Sequence, residues 1–183
     1  MLTGSLALVA AIPLVGVVAL ARPSRVRTLV ALAAIGHVTI LASVAFFPIP
    51  VAPALAKVRD AGEMSWIGLN LVPFATIGAA VGGGFTAETW IAILNLFVLL
   101  PAGVYLPILV PSLRGPRAVV AVAIIGGVSV ELIQLFVGLA LGFLYRTVDI
   151  DDVILNTAGL AAGLVIGRRA IRRWPRLAGS EGD

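Results

Sequence analysis

Two groups of polar residues interrupt an otherwise apolar sequence, and their side chains suit acid–base chemistry or hydrogen bonding to a ligand. The first group is Glu131 and Gln134; the second is Arg146, Asp149, Asp152 and Asn156. Residues three or four apart share one face of a helix, so Glu131 and Gln134 are expected to point in one direction. The same holds for Asp149, Asp152 and Asn156. Such a pair of faces could form one pocket.

Glu131 has the strongest case for a function, because an ionisable group in an apolar segment is costly and usually faces the bundle interior or a wet cavity. Arg146 is the arginine nearest in sequence that could pair with it from the external side. A protonated Glu131 could act as a general acid, and an ionised one could bind a cation or act as a base. The sequence leaves both states open. The candidate catalytic residues are Glu131, Asp152 and Arg146.

The composition identifies the surroundings of these residues. Of 183 residues, 60% are hydrophobic and 12% are charged, and the mean hydropathy is +1.11. Soluble domains are far less apolar. We therefore predict an all-α, polytopic membrane helix bundle with about five transmembrane helices. The predicted segments span residues 2–21, 26–47, 87–110, 117–137 and 150–168.

The basic residues predict the orientation. No Lys or Arg precedes the first segment, and Arg22, Arg25 and Arg27 follow it, which is the reverse of a secretory signal. We expect a retained helix, an external N-terminus and a cytoplasmic C-terminus. The basic residues that then face the cytoplasm, ten of 13, are Arg22, Arg25, Arg27, Arg114, Arg117, Arg168, Arg169, Arg172, Arg173 and Arg176. Contact with anionic lipids explains this charge, and no nucleic acid partner is expected.

Three polar side chains are expected at a similar depth in the membrane. Counted inward from the outer helix ends at 1.5 Å per residue, Asn95 lies about 12 Å deep, Glu131 about 9 Å and Asn156 about 10 Å. We therefore predict one shared site that opens to the external face. Its ligand-binding candidates are Asn95, Glu131, Gln134, Arg146, Asp149, Asp152 and Asn156.

A glycine stripe continues the polar face of the last segment. The stripe consists of Gly159, Gly163 and Gly167. Glycines repeated every four residues are typical of close helix packing in membranes. Because Asp152 and Asn156 lie on the same stripe, they are expected to face the bundle, whereas Asp151 is expected to point elsewhere into solvent.

Structural roles are also open for these residues. Asp149 is a candidate N-cap, with Asp152 at the position of a capping-box partner. Arg146 could neutralise these carboxylates at the interface. Asn95 and Asn156 could make interhelical hydrogen bonds.

The sequence names no cofactor and predicts no metal site. It has no cysteine and a single histidine, His37, which we expect to be packed and neutral. No His or Cys ligand set supports a transition metal, although external carboxylates could bind a divalent cation.

The polar motifs resemble those of the VanZ-like family of bacterial membrane proteins. The resemblance rests on Glu131-x2-Gln134, on Arg146-x2-Asp149-x2-Asp152-x3-Asn156-x2-Gly159, and upstream on Asn70-x2-Pro73-Phe74 and Asn95-x5-Pro101-x-Gly103. It implies a multi-pass protein of the bacterial cytoplasmic membrane and an association with resistance to teicoplanin-type antibiotics. One departure is the apolar stretch 135–145, which is longer than the family's turn and is expected to extend the fourth helix or to lie in the interface.

The resemblance also divides the chain. Residues 1–69 are expected to hold two transmembrane helices and the start of an external loop. Residues 70–170 would form the VanZ-like region with three transmembrane helices, and residues 171–183 a basic, then polar, cytoplasmic tail.

Three classes of function fit these observations. The first is a protein of the cell envelope that binds a lipid-linked or amphiphilic ligand, such as an envelope precursor, among the membrane lipids and lowers glycopeptide susceptibility. The second is an enzyme that modifies such a lipid, with Glu131 or Asp152 as acid or base and Arg146 holding an anionic head group. The third and weakest is a small transporter, because the polar groups cluster near one side only and no inverted repeat is evident.

Overall fold

The computed structural model describes residues 11–12, 14–15, 24–47, 49, 68–142 and 144–178. Its helices are α1 (Arg25–Phe46), α2 (Ala75–Gly82), α3 (Ala87–Val98), α4 (Leu100–Leu109), α5 (Pro116–Leu141) and α6 (Ile150–Arg173). Two short strands, β1 (Leu69–Asn70) and β2 (Val148–Asp149), pair in parallel. Short 3₁₀ helices follow α4 at Pro111–Arg114 and α6 at Pro175–Ala178. The predicted all-α bundle is confirmed.

Four helical stretches of the described chain are long and apolar enough to cross a membrane. They are Arg25–Phe46, Thr89–Leu109, Pro116–Leu141 and Ile150–Arg173, and they correspond to the second to fifth predicted segments. Large apolar side chains on their outer faces, such as Ile125, Phe136 and Leu139, are exposed, as lipid-facing residues are. The chain is a multi-pass membrane protein. The first predicted segment, residues 2–21, lies almost entirely outside the described residues.

Local signals explain where the helices begin and end. Ser24 caps α1 by accepting a hydrogen bond from the Arg27 N–H, and Thr86 and Thr89 form a capping box at the start of α3. α5 continues to Leu141 and ends at Gly142, which has a left-handed φ of 81°. The apolar stretch after Gln134 therefore extends the fourth predicted helix, which was one of the two expectations.

The third span is interrupted at Leu99, between α3 and α4, just before Pro101. Proline has no N–H to continue the hydrogen bonding of a helix. At this break His37 of α1 contacts the carbonyl oxygen of Val98 through Nε2 at 2.8 Å, and its Nδ1 lies 3.2 Å from the Tyr105 hydroxyl. A carbonyl only accepts, so Nε2 donates. The predicted packing of His37 is confirmed.

α6 lies at the centre of the bundle and packs against α3, α4 and α5. Gly159 faces the Leu96 carbonyl of α3, while Gly163 and Gly167 face the carbonyls of Leu100 and Val104 in α4. The glycine stripe thus brings α6 against the backbone of the interrupted span. Leu160 and Leu164 fill the apolar core beside it. This packing fixes the start of α6, where the polar residues lie.

The external N-terminus stays a prediction that cysteine labelling can test. The chain has no native cysteine, and Ala87 and Ser112 are exposed near opposite ends of the third span. We expect Ala87→Cys to react with a membrane-impermeant maleimide on intact cells, and Ser112→Cys to react only after permeabilisation. The reverse pattern would contradict the orientation.

Candidate functional site

Asp149 joins three parts of the chain at the start of α6. Its Oδ1 accepts a hydrogen bond from the Asp151 N–H at 2.8 Å, so it is the N-cap of α6. Its Oδ2 accepts from Asn70 Nδ2 at 3.0 Å and from Thr76 Oγ1 at 2.5 Å. The predicted capping role is confirmed. Both carboxyl oxygens are thus occupied, since Oδ1 caps α6 and Oδ2 ties β1 and α2 to it.

Asp151 is fully buried, with an exposed fraction of 0%. Its two oxygens accept hydrogen bonds from the backbone N–H groups of Phe74 at 2.6 Å and Ile77 at 3.0 Å. These N–H groups belong to the first turn of α2, where no intrahelical partner exists. The expectation that Asp151 is solvated was wrong, because α2 covers the side of α6 that a lone helix would leave open.

Phe74 has a left-handed backbone, with φ of 66°, which is unusual for a bulky residue. Conformations of this kind require support from their surroundings. Here the Asp151 carboxylate supplies part of that support through the Phe74 N–H. The Asn70-x2-Pro73-Phe74 motif and the acidic motif of α6 are thus two halves of one contact.

Glu131 lies on α5 beside these residues and is 4% exposed. Its Oε2 accepts a hydrogen bond from the Asp149 N–H at 3.3 Å, so Asp152 is not the capping-box partner of that group. The carboxyls of Asp149 and Asp152, and the Arg146 guanidinium, are within electrostatic range of Glu131. In a dry site, neighbouring carboxyls need a proton, a cation or a ligand donor between them. Among the described residues, no group of three or more acidic, His or Cys side chains is arranged to hold a metal ion.

Asp152 and Asn156 occupy successive turns of the same face of α6. The Oδ1 atoms of both are buried and have no hydrogen-bond partner within the described part of the chain. Asn156 is 1% exposed, whereas Asp152 is half-buried and lies beside Asn95 of α3. A buried acceptor without a partner costs about 1–3 kcal/mol. Each of these two oxygens can therefore accept a hydrogen bond that the described chain does not supply.

Gln134 and Arg146 lie at the margin of the site, next to the end of α1. Gln134 Nε2 donates to the carbonyl of Ala45 at 2.9 Å, and Arg146 Nη2 donates to those of Val44 at 3.0 Å and Phe47 at 2.9 Å. The last carbonyls of a helix lack intrahelical partners. Gln134 and Arg146 donate to these carbonyls and thereby fasten α1 to α5 and to the connection before α6.

Tyr145 strengthens the same junction. Its hydroxyl donates to the Phe46 carbonyl at 3.4 Å. Burial raises the pKa of the Tyr145 hydroxyl, and the nearby Arg146 charge opposes this rise. The hydroxyl is therefore a donor at neutral pH, as the bond to a carbonyl requires.

The structure brings five of the predicted site residues together, which we call the polar cluster: Asn95, Glu131, Asp149, Asp152 and Asn156. Three further residues in contact with Asp149 or with the start of α2 were not assigned to the site from sequence: Asn70, Thr76 and Asp151. Asn70 belongs to the Asn70-x2-Pro73-Phe74 motif, whose resemblance to the VanZ-like family could have pointed to it. No sequence signal pointed to Thr76, because its partner Asp149 lies 73 residues away.

Comparison with known proteins identifies a family that contains these motifs. A family model described as VanZ/LLP1 matches residues 34–172. The match begins inside α1, extends to the end of α6 and includes every residue of the polar cluster. No curated protein and no solved structure matches the chain.

Proposed function

The chain belongs to the VanZ/LLP1 family, and from this premise we propose that its polar cluster binds a lipid-linked or amphiphilic ligand at the outer leaflet of the bacterial cytoplasmic membrane. The observation that carries the proposal is the pair of unpartnered buried oxygens on Asp152 and Asn156, within the residues described. A ligand with N–H or O–H donors, such as an amine or a sugar, would complete their hydrogen bonding.

The surroundings of the cluster favour an amphiphile over a soluble ligand. Asn95 and Asp152 are the partly accessible members of the cluster. Trp90, Leu94 and Phe97 are exposed on the same helix as Asn95. A polar head could reach the cluster while an acyl or polyprenyl chain lies along this apolar surface of α3. Binding of an envelope precursor in this way would alter the cell surface and lower susceptibility to teicoplanin-type antibiotics.

Asp152→Asn is expected to weaken ligand binding about tenfold, because it replaces a carboxylate acceptor by an amide. The unpartnered Asn156 oxygen on the next turn stays unchanged. The measurement compares the lipids that copurify with wild type and variant at matched abundance, by mass spectrometry. Ser129→Ala is the control, since the Ser129 hydroxyl donates to the Ile125 carbonyl of its own helix and is not a member of the cluster.

A species that copurifies with wild type and the control but is lost from Asp152→Asn would support the proposal. Teicoplanin susceptibility of cells lacking the protein, complemented with each form, should change in parallel. Equal lipid content in all three forms would refute the binding role of the cluster.

An enzyme is the second candidate, and the position of the Asp152 carboxyl within electrostatic range of Glu131 favours it. Two carboxyls that share a site can divide the roles of acid and base. In that case a modified lipid should accumulate in cells with wild type and vanish with Glu131→Gln. If lipid binds to the protein but is not chemically changed, the result would favour a binding protein over an enzyme.

A further inference from the structure

The segment that contains β1 and α2 exposes an apolar surface. Residues 69–85 include no charged residue, and their two polar side chains, Asn70 and Thr76, turn inward to Asp149. The large apolar side chains that this segment exposes, between 57% and 84% of each, form what we call the apolar patch: Leu69, Leu71, Val72, Phe74, Val81 and Phe85. A patch of this kind rarely faces water and marks a surface for a partner or a membrane.

The contact between α5 and α6 gives the depth of this segment. Glu131 accepts a hydrogen bond from the Asp149 N–H, so the start of α6 lies level with Glu131. Arg117, at the start of α5, marks the opposite boundary of the hydrocarbon layer. Glu131 lies about 21 Å from it along the helix, and the layer is about 30 Å thick. The start of α6 therefore lies about 9 Å below the nearer boundary.

The remainder of α5 agrees with this depth. The helix continues from Glu131 to Leu141, which adds about 15 Å. Its side chains in this stretch are apolar apart from Gln134, and Phe136 and Leu139 are exposed. α5 thus still meets lipid beyond the level at which α6 begins.

α2 begins at this depth and returns toward the surface. Its first turn lies beside the start of α6, because Asp151 accepts hydrogen bonds from the N–H groups of Phe74 and Ile77. Near its other end, the Ala80 carbonyl accepts from the Thr89 hydroxyl at 3.0 Å. Thr89 belongs to the first turn of α3, at the same side of the membrane. The chain thus enters through β1, turns before α2 and leaves on the side where it entered.

We propose that β1 and α2 form a re-entrant element whose apolar patch contacts the acyl chains of the leaflet at the start of α6. The patch is continuous with the lipid-facing surface of α3, since the rings of Phe85 and Trp90 lie 6.1 Å apart and both are exposed. In the predicted orientation this is the outer leaflet. The inference does not depend on a ligand of the polar cluster.

An element within lipid must satisfy its own backbone polar groups, because hydrocarbon offers no hydrogen bonds. β1 pairs with β2, and the Asp151 carboxylate takes two N–H groups at the start of α2. The Val72 N–H donates to Asn70 Oδ1 at 3.4 Å, and the Gly83 N–H that ends α2 donates to the Ala79 carbonyl. The segment therefore turns polar groups inward and apolar side chains outward, as residence in lipid requires.

The test measures the surroundings of single nitroxide labels on the full chain in phosphatidylcholine nanodiscs. The chain has no native cysteine, and the patch variants are Val72→Cys and Val81→Cys. Ile125→Cys, exposed on α5, is the lipid control, and Ser112→Cys, exposed on the 3₁₀ helix after α4, is the water control. Electron paramagnetic resonance reports collisions of each label with oxygen, which enters hydrocarbon, and with a water-soluble nickel complex.

We expect nickel collisions at both patch positions to be roughly tenfold fewer than at Ser112, because a polar complex partitions poorly into hydrocarbon. Oxygen collisions should match those at Ile125. The ratio of oxygen to nickel collisions should be higher at Val72 than at Val81, since α2 rises toward the surface. Thermal unfolding of each labelled variant should match that of the wild type, because both valine side chains point away from the bundle.

Nickel collisions as frequent as at Ser112 would place the segment in water and overturn the proposal. Few collisions with either reagent would show that protein covers the patch, which would overturn it equally. Dilution with unlabelled chain then identifies the cover, because only contact with a second copy would be altered by it. A higher ratio at Val81 than at Val72 would overturn the re-entrant path.

Discussion

Replacing Gly159 with alanine is expected to destabilise the bundle by about 3 kcal/mol, because the added methyl has no space. A Cβ at this position would overlap the carbonyl oxygen of Leu96 in α3. That oxygen belongs to backbone and cannot move without its helix. α6 would have to separate from α3, and contacts along the whole stripe would loosen.

The measurement is the thermal or denaturant unfolding of the purified protein in one detergent. Gly36→Ala is the matched control: Gly36 lies inside α1, and a Cβ there meets nothing within 4 Å. Since glycine within a helix is unfavourable by roughly 0.5–1 kcal/mol relative to alanine, the control should be neutral or slightly more stable. Similar losses in both variants would contradict the close-packing role of the stripe.

Replacing Asp151 with alanine is expected to lower stability by about 3 kcal/mol, since it removes a buried carboxylate that accepts from two part-buried backbone N–H groups. The donors are the N–H groups of Phe74 and Ile77. Phe74 would also lose the bond that supports its left-handed backbone. We expect the segment 72–82 to detach from α6 before the bundle unfolds.

Hydrogen exchange reports this detachment directly. Peptides covering residues 72–82 should exchange much faster in Asp151→Ala, whereas α5 peptides should keep their wild-type rates. Asp152→Asn is the control, because it removes a carboxyl group one residue away that makes no hydrogen bond to α2 among the described residues. Unchanged exchange in the Asp151 variant would mean that other contacts hold α2 in place.

The parts of the fold that depend on local sequence were predictable. Hydropathy identified four spans that the structure contains, and the position of Asp149 before an apolar helix predicted its capping role. Spacing alone placed Asn156 and the glycines on one buried face of α6. The similar depth of Asn95 and Asn156 predicted that Asn95 of α3 lies near the start of α6, and the structure places it beside Asp152.

The contacts that the sequence did not reveal join distant segments. Asp151 meets the start of α2 across 77 residues, and helical periodicity holds no information about such a partner. α2 itself is eight residues long and lies in a stretch whose prolines and glycines predict turns. Gln134 was assigned to a pocket because it shares a face with Glu131. Its side-chain amide instead donates to the Ala45 carbonyl at the end of α1.

The pairing of β1 with β2 also sets an order of events during synthesis. Asn70 leaves the ribosome 79 residues before its partner Asp149, which at 5–20 residues per second is a delay of roughly 4–16 s. α1, α3 and α4 are complete in the nascent chain by then, while β1 and α2 still lack their anchor. The β1–β2 pair and the bonds of α2 must therefore wait for the start of α6, so their formation signals that synthesis has reached α6.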